Sequence, residues 1–268
     1  MVKKLSRSSR LVAAGLITAA SLPAQAATLG AYAGIAIDWN TLSISALDGS
    51  GGSICGDVAS CVGNVLSWDV TPSGNVKQFD RSKTEATGAS ADVDQVRGWN
   101  AGTSALSSSS DATAYAVTGV VPLVWISDGL GALAMAFEGS TETEAEALAR
   151  RWGDFTALLD ATITFSVDFL YAGEADSGNE SEGRAGLSLS RLSGGSIEDL
   201  FRVQFGDGFE SGGGTLTLSR WFDAGDHARL SAEVRAEAEA SPVPVPPSVW
   251  LMGGALIGLV GIARRRGT

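Results

Sequence analysis

Few side chains in this 268-residue chain have the type and spacing that chemistry needs. One histidine, His227, lies in the run Asp223-Ala-Gly-Asp-His-Ala. A Ser-His-Asp relay would have to use it, yet no Gly-x-Ser-x-Gly elbow presents a serine. Walker-loop, His-Glu-x-x-His and multi-cysteine metal spacings do not occur either. His227 is therefore expected in a solvent-exposed turn between two strands. Carboxylate pairs that cleave glycosidic bonds are assembled only by folding, and 30 acidic residues offer no way to nominate one pair. The chain is read as non-enzymatic. A carbohydrate-binding module, and a secreted glycoside hydrolase or other hydrolase, are the alternatives.

Binding chemistry has more candidates. Glu174, Asp176, Asn179, Glu180 and Glu182 crowd one connection, and Asp207 and Glu210 sit in another. Hard oxygen ligands on a flexible loop suit Ca²⁺, although neither run has EF-hand spacing. A solvated turn is the competing reading, and no cofactor is expected, with these carboxylates as the candidates should Ca²⁺ bind. Tryptophans at 39, 68, 99, 125, 152 and 221 are the rings available for stacking on sugars, with core anchoring as the competing role.

The two ends of the chain address it out of the cell. Lys3, Lys4, Arg7 and Arg10 precede the apolar stretch Leu11 to Ala20 and the small-residue site Ala24-Gln25-Ala26. That order is a secretory signal peptide over residues 1–26, cleaved after Ala26. At the other end, Val243, Pro244, Val245, Pro246 and Pro247 form a stiff, extended stop. An uncharged run, Ser248 to Ala263, follows, and Arg264, Arg265 and Arg266 close it. Sixteen helical residues span about 24 Å, and the flanking prolines and snorkelling arginine stems bring this close to a bilayer core. The arginines orient such a span with the preceding chain outside.

This order of proline motif, short apolar helix and terminal basic cluster resembles the PEP-CTERM protein-sorting tail of Gram-negative bacteria. The nearest variant reads Val-Pro-Leu-Pro-Ala; here Val245 and Pro247 replace its leucine and alanine, and the glutamate of the main motif is missing. The resemblance covers residues 241–268 and concerns handling rather than activity. It implies an exosortase-type processing enzyme as partner, a transient stay in the membrane, and delivery to the cell surface or an extracellular polysaccharide matrix. Export also takes Cys55 and Cys61, the only cysteines, to an oxidising compartment where a local disulfide is the default.

The exported body, residues 27–240, holds all 30 acidic residues and 12 of the 19 basic ones, a net charge of −18. That field repels nucleic acid, which is excluded as a partner.

The elements that must position these residues read as strands. Ile163, Phe165, Val167, Phe169 and Tyr171 alternate with polar neighbours, as do Leu230, Ala232, Val234, Ala236 and Ala238. Leu29 to Trp39, Phe201 to Phe205 and Leu216 to Phe222 show the same period. Gly173 to Gly183, Ser193 to Ser196, Gly206 to Gly214 and Asp223 to Asp226 punctuate them. The fold class is all-β, an antiparallel β-sandwich or jelly roll in a single domain. Asn100 to Ala114 reads as a low-complexity surface loop. Thr141 to Trp152 fits either a short helix opened by a capping box or an acidic-faced strand.

Overall fold

Each alternating run of the body becomes a strand whose apolar side chains point into one shared core. The computed structural model describes residues 28–70, 77–99, 102–121, 126–139 and 141–242. The expected signal peptide (1–26) and residues 243–268 of the expected sorting tail, including Val243 to Pro247 and Arg264 to Arg266, lie outside these residues, as does Trp125. In chain order the elements are β1 (Leu29–Leu47), β2 (Ser53–Cys55), α1 (Val58–Cys61) and β3 (Leu66–Trp68). Then come β4 (Gln78–Ala86), β5 (Asp92–Arg97), β6 (Thr103–Ser108), β7 (Ala112–Val121) and β8 (Ile126–Phe137). The chain continues through β9 (Thr143–Ala157), β10 (Ala161–Ala175) and β11 (Glu180–Arg191). It closes with β12 (Ser196–Phe205), β13 (Glu210–Phe222) and β14 (His227–Ala240).

These strands form two antiparallel sheets. The first runs β13-β10-β1-β8-β7-β6 with β2 beside β1; the second runs β12-β11-β14-β9-β4-β5 with β3 beside β9. Inner faces meet in one core. At the end carrying the β13–β14 turn it is aromatic, with Phe155 5.6 Å from both Phe165 and Phe222. Toward the opposite end it is built from alanine: 114, 134 and 136 of the first sheet and 145, 147, 236 and 238 of the second. Small side chains let the sheets approach. At Gly30 an added Cβ would lie 2.8 Å from the Cβ of Ala240.

Thr141 to Trp152 resolves as strand: Thr143, Ala145, Ala147 and Ala149 alternate inward on β9, and Glu144 and Glu146 point out. The expectation of a surface loop over Asn100 to Ala114 is corrected, because β6 and the start of β7 lie there. Of the inward side chains of β6, Thr103 and Ser107 flank Ala105 and are hydroxyls that find partners on β4 across the core and on neighbouring β7. Thr103 Oγ1 is 2.6 Å from Ser82 Oγ and 3.0 Å from Thr118 Oγ1, and Ser107 Oγ is 2.9 Å from Thr84 Oγ1. A buried hydroxyl costs little once it is hydrogen-bonded, so polar alternation can build a strand.

The punctuation at Gly173 to Gly183 and Gly206 to Gly214 is also narrower than expected: only 176–179 and 206–209 separate strands. Gly212 and Gly214 belong to β13, where an added Cβ would come within 2.5 Å of Tyr171 Oη and 3.0 Å of the Phe169 ring. Those glycines make room for rings of the neighbouring strand.

Phe165 is fully buried and Phe169 is 5% exposed. Cutting either to alanine is expected to cost about 3–5 kcal/mol in denaturant unfolding. Thr164, whose hydroxyl meets Ser219 Oγ at the surface, should cost under about 1 kcal/mol. Equal losses at Phe165 and Thr164 would contradict the inward–outward assignment.

Candidate functional site

Two places gather charge: a buried arginine inside the sandwich, and the outer face of the second sheet. On β9 the inward alternation of small residues reaches Arg151, whose side chain is completely inaccessible. Its Nε and Nη2 donate to Asp80 Oδ1 at 2.8 Å and Oδ2 at 3.0 Å. Nη1 donates to Asp128 Oδ1 at 2.7 Å, and Nη2 also reaches the Trp99 carbonyl at 3.1 Å. The rings of Trp39 and Trp99 lie 5.4 and 5.6 Å from the guanidinium carbon. Burial pushes the Asp80 carboxyl up and Arg151 pulls against it. The two parallel contacts are those of a carboxylate paired bidentately with a guanidinium. Asp80 has no solvent access, so it cannot act on an external polymer; the cluster is a structural hub.

This hub is the feature that sequence reading missed. Its signal was the break in alternation, a lone arginine at an inward position after Ala145, Ala147 and Ala149.

The outer face of the second sheet is striped by charge, because antiparallel register places like residues side by side. Glu180, Glu239 and Glu144 form the outermost row, and Glu182, Glu237, Glu146 and Glu85 the next. Arg184 and Arg235 stand in the row beneath, with Lys83. Arg235 Nη2 lies 3.2 Å from Glu146 Oε2, Lys83 Nζ 2.6 Å from Glu85, and Glu182 accepts from both Arg184 and Arg202. Partial burial pushes the Glu182 carboxyl up, but the two arginines outweigh it and hold it below the usual range. The outermost row has no such relief. A hydrogen bond shared with Glu142, partial burial, and the charges of Glu142, Glu180 and Glu144 all raise the pKa of Glu239. Glu144, Asn179, Glu180 and Glu239 border a shallow cleft of about 260 Å³.

Of the five calcium candidates, Asn179, Glu180 and Glu182 border this cleft, and Glu174 and Asp176 do not. Glu174 lies on β10 of the first sheet, and Asp176 in the turn beyond it. Asn179 spends its amide on the Gly30 carbonyl and accepts from the Ser241 N–H. Glu180 joins the acidic row, and Glu182 is committed to its arginines. Among the described residues, no group of three or more His, Cys, Asp or Glu side chains is placed to hold a metal.

His227 opens β14 and is exposed, as expected of it, though it begins the strand rather than sitting in the turn. Its Nδ1 lies 2.9 Å from Thr156 Oγ1 and 3.4 Å from Asp69 Oδ2. Thr156 donates to Asp69 at 2.6 Å. Both neighbours thus crowd one ring nitrogen, and the hydroxyl proton goes to the carboxylate, which is not a relay that activates a nucleophile.

The described tryptophans pack against other rings or hydrogen-bond locally. Trp39 and Trp68 meet Trp99 edge-on at 78° and 76°. Trp152 stacks on Phe79 at 5.3 Å, with Arg150 over the Trp152 ring and Arg97 over the Phe79 ring. Trp221, 39% exposed, donates from Nε1 to Asp223.

Cys55 and Cys61 are joined in a disulfide, with 5.3 Å between their Cα atoms. It ties β2 to α1, whose first turn is closed by a capping box between Asp57 and Ser60. No protein-family model matches this chain, and no curated protein matches it.

A carboxyl pKa raised by folding makes the folded state bind more protons than the unfolded chain between the ordinary and the raised values. Stability therefore falls as pH rises through that window. Glu239→Gln is expected to raise stability at pH 7, by no more than about 0.5 kcal/mol after solvent screening. The gain should vanish below about pH 4 and shrink in high salt, as read by thermal unfolding across pH. A loss at pH 7 would contradict the unrelieved acidic row.

Proposed function

We propose that this chain is an exported structural or adhesive protein, processed by an exosortase-type enzyme and placed at the cell surface or in an extracellular polysaccharide matrix. The observation that carries the reading is the disulfide between Cys55 (6% exposed) and Cys61 (fully buried), which favours an oxidising compartment. The Pro242 to Thr268 sequence, with its prolines, short apolar run and three arginines, supplies the sorting logic.

The built form of the body supports a passive role over catalysis. Its buried ion pair is saturated by its own partners, its histidine is not in a relay, and its largest charge cluster is a solvated sheet face. The sheet edges are dressed for a crowded exterior. On edge strand β6, the Ser104 and Leu106 N–H groups donate to Asp94 and Asp92 of β5 at 3.2 and 3.0 Å. On the opposite edge, the Thr217 N–H of β13 donates to Asp199 of β12 at 2.7 Å. Carboxylates that occupy edge donors block strand addition by other chains. Association with an anionic matrix would then run through divalent cations bridging the acidic face, and would weaken at high ionic strength.

Replacing Arg264, Arg265 and Arg266 by neutral residues is expected to leave the tail attached and the protein mislocated. Mass spectrometry of the mature C-terminus together with cell fractionation reads this directly. Unchanged processing and location in that variant would overturn the sorting assignment.

A further inference from the structure

One part of the outer face of the first sheet, over β1, β7 and β8, is apolar and buried. Outward side chains of β1, β7 and β8 form one cluster of Tyr32, Leu133, Met135 and Phe137, joined through Tyr115 to a second of Ala36, Val117, Val121 and Ile126. Tyr32 is 3% exposed, Leu133 4% and Met135 5%. Among the described residues the protein has two sheets and no third layer; Phe209 stacks on Tyr32 at 6.5 Å. The first cluster lies at the end of β8 remote from Ile126, where β8 begins. Burial, with a smaller effect of Glu174, pushes the Tyr32 phenol up to about 12. The Tyr32 hydroxyl has no hydrogen-bond partner among the described residues. Side chains on an open sheet face do not exclude water to this degree.

We propose that the apolar segment Ser248–Ala263 of this chain docks on that face, with Arg264 to Arg266 beside Asp38 and Asp168. Position, length and charge argue for it. The described chain ends where the first cluster begins: Ala240 lies against Gly30, and Ser241 is pinned by hydrogen bonds to Asn179 and Gly178. Six residues, Pro242 to Pro247, extend about 19 Å in a polyproline conformation, enough to carry the chain around one sheet. The apolar segment then spans about 24 Å as a helix, against about 30 Å of strand from Leu29 to Asp38. Asp38 and Asp168 are direct cross-strand partners on β1 and β10 at that far end, and no ion pair engages either among the described residues. Gly254, Gly258 and Gly261 would share one helical side, flat enough to settle over Tyr32, Leu133 and Met135.

Docking gives the precursor a soluble form. An apolar helix and an apolar sheet face cover each other in water until a membrane competes for the helix. Removal of the tail then bares the face. The inference rests on the assignment of residues 241–268 as a tail, but it concerns the unprocessed chain and is independent of which enzyme cuts it.

The test uses the full-length chain with a photoreactive amino acid at Met135, irradiated in detergent-free buffer and mapped by mass spectrometry. The expected product joins position 135 to a peptide within 248–263 of the same chain, with a yield independent of protein concentration. Crosslinks only to residues 1–26, only between two copies, or to nothing would overturn the proposal. Asp38→Lys combined with Asp168→Lys should lower that yield roughly two- to fivefold, the range of exposed ion pairs. An unchanged yield would overturn the placement of the arginines. Failure of processing in cells leaves this crosslink standing, and failure of the crosslink leaves processing standing, so the two readings are tested separately.

Discussion

A guanidinium buried without water must find its partners inside the protein, and Arg151 sets where the two sheets can meet. It stands on β9 of the second sheet and pairs with Asp80 of β4 beside it. It then reaches across the core to Asp128 of β8 and lies against Trp39 of β1, both in the first sheet. Four directed hydrogen bonds and two ring faces leave one position of low energy. Apolar packing is tolerant of small slips, whereas an unpaired buried charge is not. The alanine-lined part of the core, where side chains interlock least, lies next to this hub and benefits most from it.

From that pin the rest of the architecture follows by alternation. Strands that bury one face must present the other, and the β1–β8–β7 part of one outer face is chemically opposite to the charged rows of the other. The second sheet turns out a ladder of glutamates and arginines, which water solvates. The first turns out Tyr32, Leu133 and Met135, which water does not solvate. The acidic composition read from the sequence is therefore not spread evenly over the body, and the apolar face is where a covering segment is needed.

The strands that alternate large apolar and polar residues were legible in the sequence: β10, β14 and β1 from Ala31 to Trp39 turn to the core the side chains that the period of two assigned there, whereas Leu29, beyond a register shift, packs with Tyr32 on the outer face. So was the local disulfide. What stayed hidden was polar on the inside. Thr103 and Ser107 face inward and satisfy one another with Ser82, Thr84 and Thr118, so β6 has no apolar stripe to read. Gly212 and Gly214 read as loop because their packing partner, the rings of Tyr171 and Phe169, is supplied by another strand. Arg151 and Asp80 are 71 residues apart, and nothing local to either announces the other. Neighbours in sequence such as Glu174 and Glu180 stand on opposite sheets, which nothing local to either announces.

The most direct test is a double-mutant cycle on Arg151 and Asp80, read by denaturant unfolding. Arg151→Met and Asp80→Leu, taken singly, each leave a buried charge without its partner and should each cost about 3–5 kcal/mol. The double variant should cost less than their sum by at least about 2 kcal/mol, because it strands no charge between these two positions. Single costs below about 1 kcal/mol that simply add would show that the two side chains are hydrated and independent, and would contradict the account.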